Sequence, residues 1–218
     1  MARLLVVRHG ETLWNAERRM QGHTDTPLSP VGLDQAQALA SALADELAPW
    51  RAGRTSRPLL FTSDLRRARE TADPVARALS LVARPRVDLR ERHMGVAQGK
   101  TWDELARELP DEVERYRRRG ERDAIPGIEP MAAFRERALG AARAIAELAA
   151  LDGVPAIVVT HGGVLTALLE TAHGADKKYL VGNTALFRFE VTAERIAPAP
   201  APDGSTGVAT SDELEPVA

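Results

Sequence analysis

Two short apolar runs in this chain each end in His-Gly. The first is Arg3-Leu4-Leu5-Val6-Val7-Arg8-His9-Gly10 and the second is Ala156-Ile157-Val158-Val159-Thr160-His161-Gly162-Gly163. A continuous apolar run of this length reads as a strand buried on both faces, which belongs in an open, mostly parallel sheet flanked by helices, the α/β class. In such sheets ligands bind beyond the carboxyl ends of the strands. A histidine there is held by rigid backbone on one side and open to substrate on the other. The glycine after it lets the backbone turn sharply and brings an N–H close to a bound anion. The pattern predicts that His9 and His161 meet in one pocket.

The stretches between and after these runs supply the rest of an α/β domain. Residues 12–28 are irregular and polar, with Gly22, Asp25 and Pro27 as breakers, and a connection this long reads as a binding loop. Ser29-Pro30 opens a helix over 30–48, with Val31, Ala36, Leu39, Leu43 and Leu47 as its buried face. Leu59-Leu60-Phe61-Thr62 is a second strand. Ser63 or Asp64 offers the N-cap of a helix reaching Leu79, which Pro74 is expected to kink or divide. A third strand falls at 85–89. The polar, weakly periodic stretch that follows reads as an insertion, about 91–128, with helical segments near 101–108 and 110–119. An alanine-rich helix over 130–150 and another over 163–172 flank the second apolar run. Residues 185–191 alternate apolar and polar, as in a half-exposed strand at a sheet edge. From Ala197 onward small residues and proline dominate, so the expected organisation is a single domain over 1–196 and a disordered or loosely packed tail over 197–218.

Composition excludes several classes of chemistry. A net charge of −2 over 218 residues provides no basic field for nucleic acid, so any anion site must be local. The absence of cysteine removes disulfides, thiolate catalysis and zinc-thiolate centres, and it fits a reducing cytoplasm. No apolar run approaches the ~20 residues of a membrane span. The start leads directly into a strand, without a signal-peptide layout. A soluble, cytoplasmic protein is expected.

Three further groups could join the two histidines. Arg8 ends a buried strand and needs an anionic partner. A planar guanidinium fork suits phosphate, although an ion pair with Glu11 would serve as well. Arg66, Arg67 and Arg69 fall in the first turns of a helix that follows a strand. Spacing does not say which of them turns inward, but a helix N-terminus favours anions. Glu91 opens the insertion. Beside a bound anion its protonated form would be favoured and could donate to a leaving oxygen; a surface ion pair with Arg90 or Arg92 is the alternative.

Taken together, Arg8-His9-Gly10-Glu11-Thr12, Asn15, Gln21-Gly22, Ser63-Asp64-Leu65-Arg66-Arg67-Ala68 with Thr71-Ala72, Glu91 and His161-Gly162-Gly163 resemble the histidine phosphatase superfamily, in the family's order from residue 3 to about 191. The resemblance implies a three-layer phosphoglycerate mutase-like sandwich, with a mostly parallel central sheet, helices on both faces and a helical insertion over the active site. It also implies the roles. His9 is the nucleophile that forms a phosphohistidine, and Arg8, Arg67 and His161 surround the phosphoryl oxygens. Glu91 is the general acid and base. Asn15, Gln21, Gly22 and the Gly162 backbone bind phosphate or substrate. The arginines supply the positive charge, so no metal and no cofactor is expected.

The reaction implied is hydrolysis of a small phosphorylated metabolite, a sugar or glycerate phosphate among the options, by a monomer or a homodimer with no nucleic-acid or membrane partner. A phosphoglycerate mutase dependent on 2,3-bisphosphoglycerate is the alternative, supported by Glu91-Arg92-His93, Gly95 and Gln98-Gly99. The stretch between Glu91 and His161 is shorter than mutases carry, which favours the phosphatase. Gly127-Ile128-Glu129-Pro130 resembles a Gly-Gly-Glu-Ser element of the phosphatases, with departures at Ile128 and Pro130. A non-catalytic module that binds phospho-ligands is a third reading, disfavoured because the nucleophile, both arginines, the acid and His161 are all present.

Overall fold

The computed structural model describes residues 1–175, 179 and 181–200. In chain order its elements are β1 (Ala2–Arg8), α1 (Leu13–Ala16), α2 (Pro30–Arg51), β2 (Leu59–Ser63), α3 (Arg66–Leu79), β3 (Ala83–Arg86), α4 (Trp102–Glu108), α5 (Pro110–Arg118), α6 (Met131–Asp152), β4 (Ala156–Thr160), α7 (Gly162–His173), β5 (Leu186–Val191) and β6 (Ile196–Pro198). The strands form one sheet in the order β3-β2-β4-β1-β5-β6. The first four of these are mutually parallel, and β5 and β6 are antiparallel additions.

Strand alternation sorts the central side chains into two layers. Leu4, Val6, Ala156 and Val158 face a core shared with Phe134, Ile145 and Ala149 of α6 and Leu165 and Leu168 of α7. Leu5, Val7, Ile157 and Val159 face the opposite way, against Leu39 and Leu43 of α2 and Ala72 and Val75 of α3. The result is a three-layer α/β sandwich. A third, separate cluster, Ala97, Leu105, Val113, Ile125 and Ile128, lies within the segment 91–128. Among the described residues no helix is long and apolar enough to cross a membrane.

Several local expectations are corrected. Val31 is exposed, and the buried face of α2 begins with Gly32 and Ala36. This helix also continues past Pro49 to Arg51. Neither Ser63 nor Asp64 caps α3: Ser63 completes β2, and Asp64 accepts both arms of the Arg90 fork at 2.8 and 2.6 Å. The N-terminal donor of α3 is satisfied from a distance instead, by Asp25 Oδ1, which accepts from Arg66 N at 2.5 Å. Pro74 does not divide α3, which runs unbroken from Arg66 to Leu79, with the neighbouring Ala72 and Val75 packed against α2. The third strand ends at Arg86, and a single 3₁₀ turn, Val87–Leu89, follows. Strand β5 is not an edge, since β6 pairs along its outer side. The expected tail boundary at 196 therefore falls inside a strand: Ala197 and Pro198 belong to β6 and Ala199 is buried. Residues 201–218 of the expected tail lie outside the described residues.

Candidate active site

Strands β1 and β4 run side by side in parallel register, with Val7 opposite Val159 and Arg8 opposite Thr160. Each chain leaves its strand one residue later, so His9 and His161 step off at the same level. Their rings sit edge to face with centroids 5.2 Å apart. His9 Nδ1 lies 2.7 Å from its neighbour's carbonyl, Gly10 O. A carbonyl only accepts, so Nδ1 carries the proton and Nε2 keeps a free lone pair. Burial, reinforced by the charges of Arg67 and Arg8, holds the His9 pKa well below 6.5, which keeps the ring neutral.

The turn carrying His9 is clamped from two sides. Gly10 N donates to Thr71 Oγ1 of α3 at 2.9 Å, and that hydroxyl donates to Arg67 O at 2.7 Å. On the other side the turn presses on the first turn of α2. A Cβ on Gly10 would stand 2.6 Å from Gly32 O, and one on Gly32 would stand 2.0 Å from Glu11 O. Glu11 accepts from Ser29 Oγ at 2.8 Å, and Ser29 caps α2 through Gly32 N, so Glu11 fixes the helix start rather than pairing with Arg8.

Of the three arginines opening α3, only Arg67 turns inward; Arg66 and Arg69 are exposed. Arg67 donates to Thr24 O at 2.9 Å and Gly22 O at 2.8 Å, holding the loop over the site, and its Nε has no partner. Burial lowers its pKa to about 10, which leaves it charged at neutral pH. Arg8 donates to Val181 O at 2.5 Å and also keeps an unpartnered buried Nε. Both ring nitrogens of His161 are buried without partners, and burial beside Arg67 holds this ring neutral as well. Unpaired donors of this kind are costly unless something comes to accept from them.

Glu91 faces these groups. Its Oε1 accepts from Arg92 N at 2.8 Å and its Oε2 from Gly163 N at 2.9 Å, so the start of α7 and the start of the insertion jointly aim the carboxylate. Asn15 Oδ1 accepts from Thr12 N at 3.1 Å in the capping box of α1, and Gln21 Oε1 accepts from Thr26 Oγ1 at 2.5 Å. Arg8, His9, Asn15, Gln21, Gly22, Arg67, Glu91 and Gly162 line one cleft of about 200 Å³, and His161 is buried against His9 beside it. The nine residues to which the family resemblance gave roles are thus brought to one place, whereas Arg66 and Arg69 face outward. Among the described residues no group of three or more His, Asp or Glu is placed to hold a metal ion.

Sequence reasoning missed several supporting residues. His23 Nε2 lies 2.7 Å from Glu91 O, Asn183 Nδ2 donates to His9 O at 3.1 Å, and Asp25 caps α3. Thr71 was visible as part of the α3 motif, but its bond to Gly10 was not. The other three contacts are long-range and leave no local pattern to read.

Comparison with known proteins agrees with this fold. A sequence model of the histidine phosphatase superfamily, branch 1, matches residues 4–198. Phosphoglycerate mutase-like protein 4 of Arabidopsis thaliana is 37% identical over 179 residues, 81% of this chain and 74% of that protein. Metal-independent phosphoserine phosphatase of the same plant is 38% identical over 170 residues, 76% of this chain and 66% of that protein. Among solved structures, the mycobacterial glucosyl-3-phosphoglycerate phosphatase in complex with inorganic phosphate superposes with a TM-score of 0.72 at 27% identity, covering 96% of this chain and 100% of the other.

Proposed function

The chain belongs to the histidine phosphatase superfamily, and on that premise we propose that it is a phosphoric monoester hydrolase acting on a small phosphorylated metabolite through a phosphohistidine on His9. The observation that carries the reading is the bond between His9 Nδ1 and Gly10 O, because it leaves Nε2 unprotonated and directed to the cleft between two guanidiniums and a carboxylate.

In the first step the Nε2 lone pair of His9 attacks phosphorus, the N–P bond forms and the ester P–O bond breaks. Glu91 gives its proton to the departing alkoxide. Arg8, Arg67 and a ring N–H of His161 hold the charge that spreads over the three equatorial oxygens in a loose, in-line transition state. The Gly162 N–H at the N-terminal end of α7, Asn15, and Gln21-Gly22 complete the phosphate cradle. In the second step water attacks the same phosphorus from the vacated side and the N–P bond breaks. The water's proton goes to Glu91, which restores the acid. The substrate-selecting part is the insertion 91–128 within a single domain, and the absence of cysteine suits a cytoplasmic enzyme.

The test is hydrolysis of para-nitrophenyl phosphate. Activity that resists EDTA, is abolished in His9→Ala and traps phosphate on His9 after rapid quench supports the reading; label on another side chain overturns it. The mutase reading keeps the support of Glu91-Arg92-His93, Gly95 and Gln98-Gly99, together with the similarity to a protein named phosphoglycerate mutase-like. Isomerisation of 3-phosphoglycerate that requires 2,3-bisphosphoglycerate would establish it instead.

A further inference from the structure

A second cavity, of about 390 Å³, meets the phosphate cleft at Glu91 and Met94, which line both. Gly162 lies in the wall of the cleft and Gly163 in the wall of the second cavity. This inference rests on the phosphatase reading above. If Glu91 protonates the ester oxygen, phosphorus lies on the His9 side of that carboxylate and the alcohol lies beyond it. The second cavity then stands where the leaving group must go.

Its walls have a definite chemistry. Met131, Phe134 and Tyr116 contribute apolar and ring surface, and three guanidiniums, Arg92, Arg122 and Arg135, join them. Two of the three are committed, Arg92 to Asp123 at 2.6 Å and Arg135 to Glu170. Arg122 is exposed and forms no ion pair among the described residues. Its guanidinium carbon lies 5.3 Å from the centre of the Tyr116 ring. The turn beneath it is anchored, since Arg122 O accepts from Arg92 Nη2 at 2.9 Å. A guanidinium stacked on a ring keeps its edge donors available, and that edge fits a planar carboxylate through two parallel bonds. The volume lies in the range of pockets that enclose drug-sized ligands, more than a three-carbon acid fills.

We propose that Arg122 is a specificity-determining residue. It binds a carboxylate at the far end of the alcohol, while the middle of that alcohol, a ring or comparable apolar face, lies along Tyr116 and Phe134. The substrate class is therefore a phosphomonoester of an acid larger than glycerate.

A matched pair of probes tests this: the phosphate ester of 3-(4-hydroxyphenyl)propionate and the same ester of its primary amide. The phenol leaving groups are electronically alike, so a difference reports on the distal contact. The expected result is a kcat/KM about tenfold higher for the acid than for the amide, expressed mainly in KM. That ratio falls to about one in Arg122→Ala and is partly restored in Arg122→Lys. A ratio near one in the unaltered enzyme, or one that persists in Arg122→Ala, overturns the inference while His9-dependent hydrolysis of para-nitrophenyl phosphate leaves the phosphatase reading standing. Absence of any His9-dependent hydrolysis overturns both.

Discussion

Gly163 N donates to Glu91 Oε2 at 2.9 Å, and a methyl group on Gly163 would stand 2.2 Å from the other carboxylate oxygen of Glu91. The glycine therefore both aims the acid and leaves room for it. In Gly163→Ala the carboxylate, the free end of a side chain, swings aside and the fold survives. The expected outcome is a kcat reduced about 10²-fold for alkyl phosphates, the order expected of a lost general acid. Para-nitrophenyl phosphate, whose leaving group needs no proton, should lose much less. Steady-state kinetics on both substrates check this, with a urea midpoint close to that of the unaltered protein.

Thr71 joins the turn that carries His9 to the helix that carries Arg67. Thr71→Val preserves shape but strands the Gly10 N–H, a buried donor whose loss of a partner costs about 1–3 kcal/mol. Chemical denaturation should show a stability loss of that order. Single-turnover kinetics should show slower phosphorylation, because the turn beneath His9 loosens.

Asp25 supplies the N-terminal partner that α3 lacks in its own sequence neighbourhood. Asp25→Ala should cost about 1 kcal/mol, as for a lost helix cap, and shift the thermal midpoint by roughly 2–4 °C for a chain of this size. It should also raise KM, since Thr24 and Gly22, on the same loop, are held by Arg67. An unchanged KM would separate the cap from the phosphate cradle.

The two buried imidazoles predict acid sensitivity. Both have pKa values held well below the ordinary 6.5 by burial beside Arg67, so the folded protein keeps them neutral while the unfolded chain takes up protons. Their contribution to stability is complete above pH 6.5 and declines as pH falls below it, by about 1.4 kcal/mol per pH unit for each ring. His23, also lowered, acts in the same direction. Asp64, Asp88 and Glu129 are lowered carboxylates and enter only in more acidic solution. Urea unfolding at pH 7.5 and 5.5 should show the decline, and His161→Gln should make it shallower.

Apart from what the family resemblance supplied, the parts of this site legible in the sequence were those carried by strand ends. The runs closing in His9 and His161 announced themselves because a strand buried on both faces has a simple apolar signature. Parallel register then did the rest by aligning the two exits. Contacts between elements were not legible. Nothing near Asp25 marks it as the cap of a helix opening forty residues later, and nothing near Asn183 marks it as a donor to His9 O. A break of α3 at Pro74 did not occur: the helix continues through it, packed on α2, at the expense of one backbone bond. The alternation in β5 correctly marked a half-exposed strand, with Glu190 exposed on the outer face, but not that Arg188 on that face pairs with Glu46 at 2.6 Å. Spacing did not choose Arg67 over Arg66 and Arg69, since that depends on which side of α3 meets the sheet; only the family resemblance made the choice.

The cluster of Ala97, Leu105, Val113, Ile125 and Ile128 stands apart from the two cores on the sheet faces. Among the described residues, its backbone hydrogen bonds to the remainder are those of Met20 with Gly99 and Lys100, and of His93 with Glu129. Such a layout makes the segment an exchangeable cassette. Grafts that retain Glu91 and those bonds should alter which alcohol is accepted while leaving the phosphoryl-transfer half untouched, a division of labour that lets one chemistry be redirected to many metabolites.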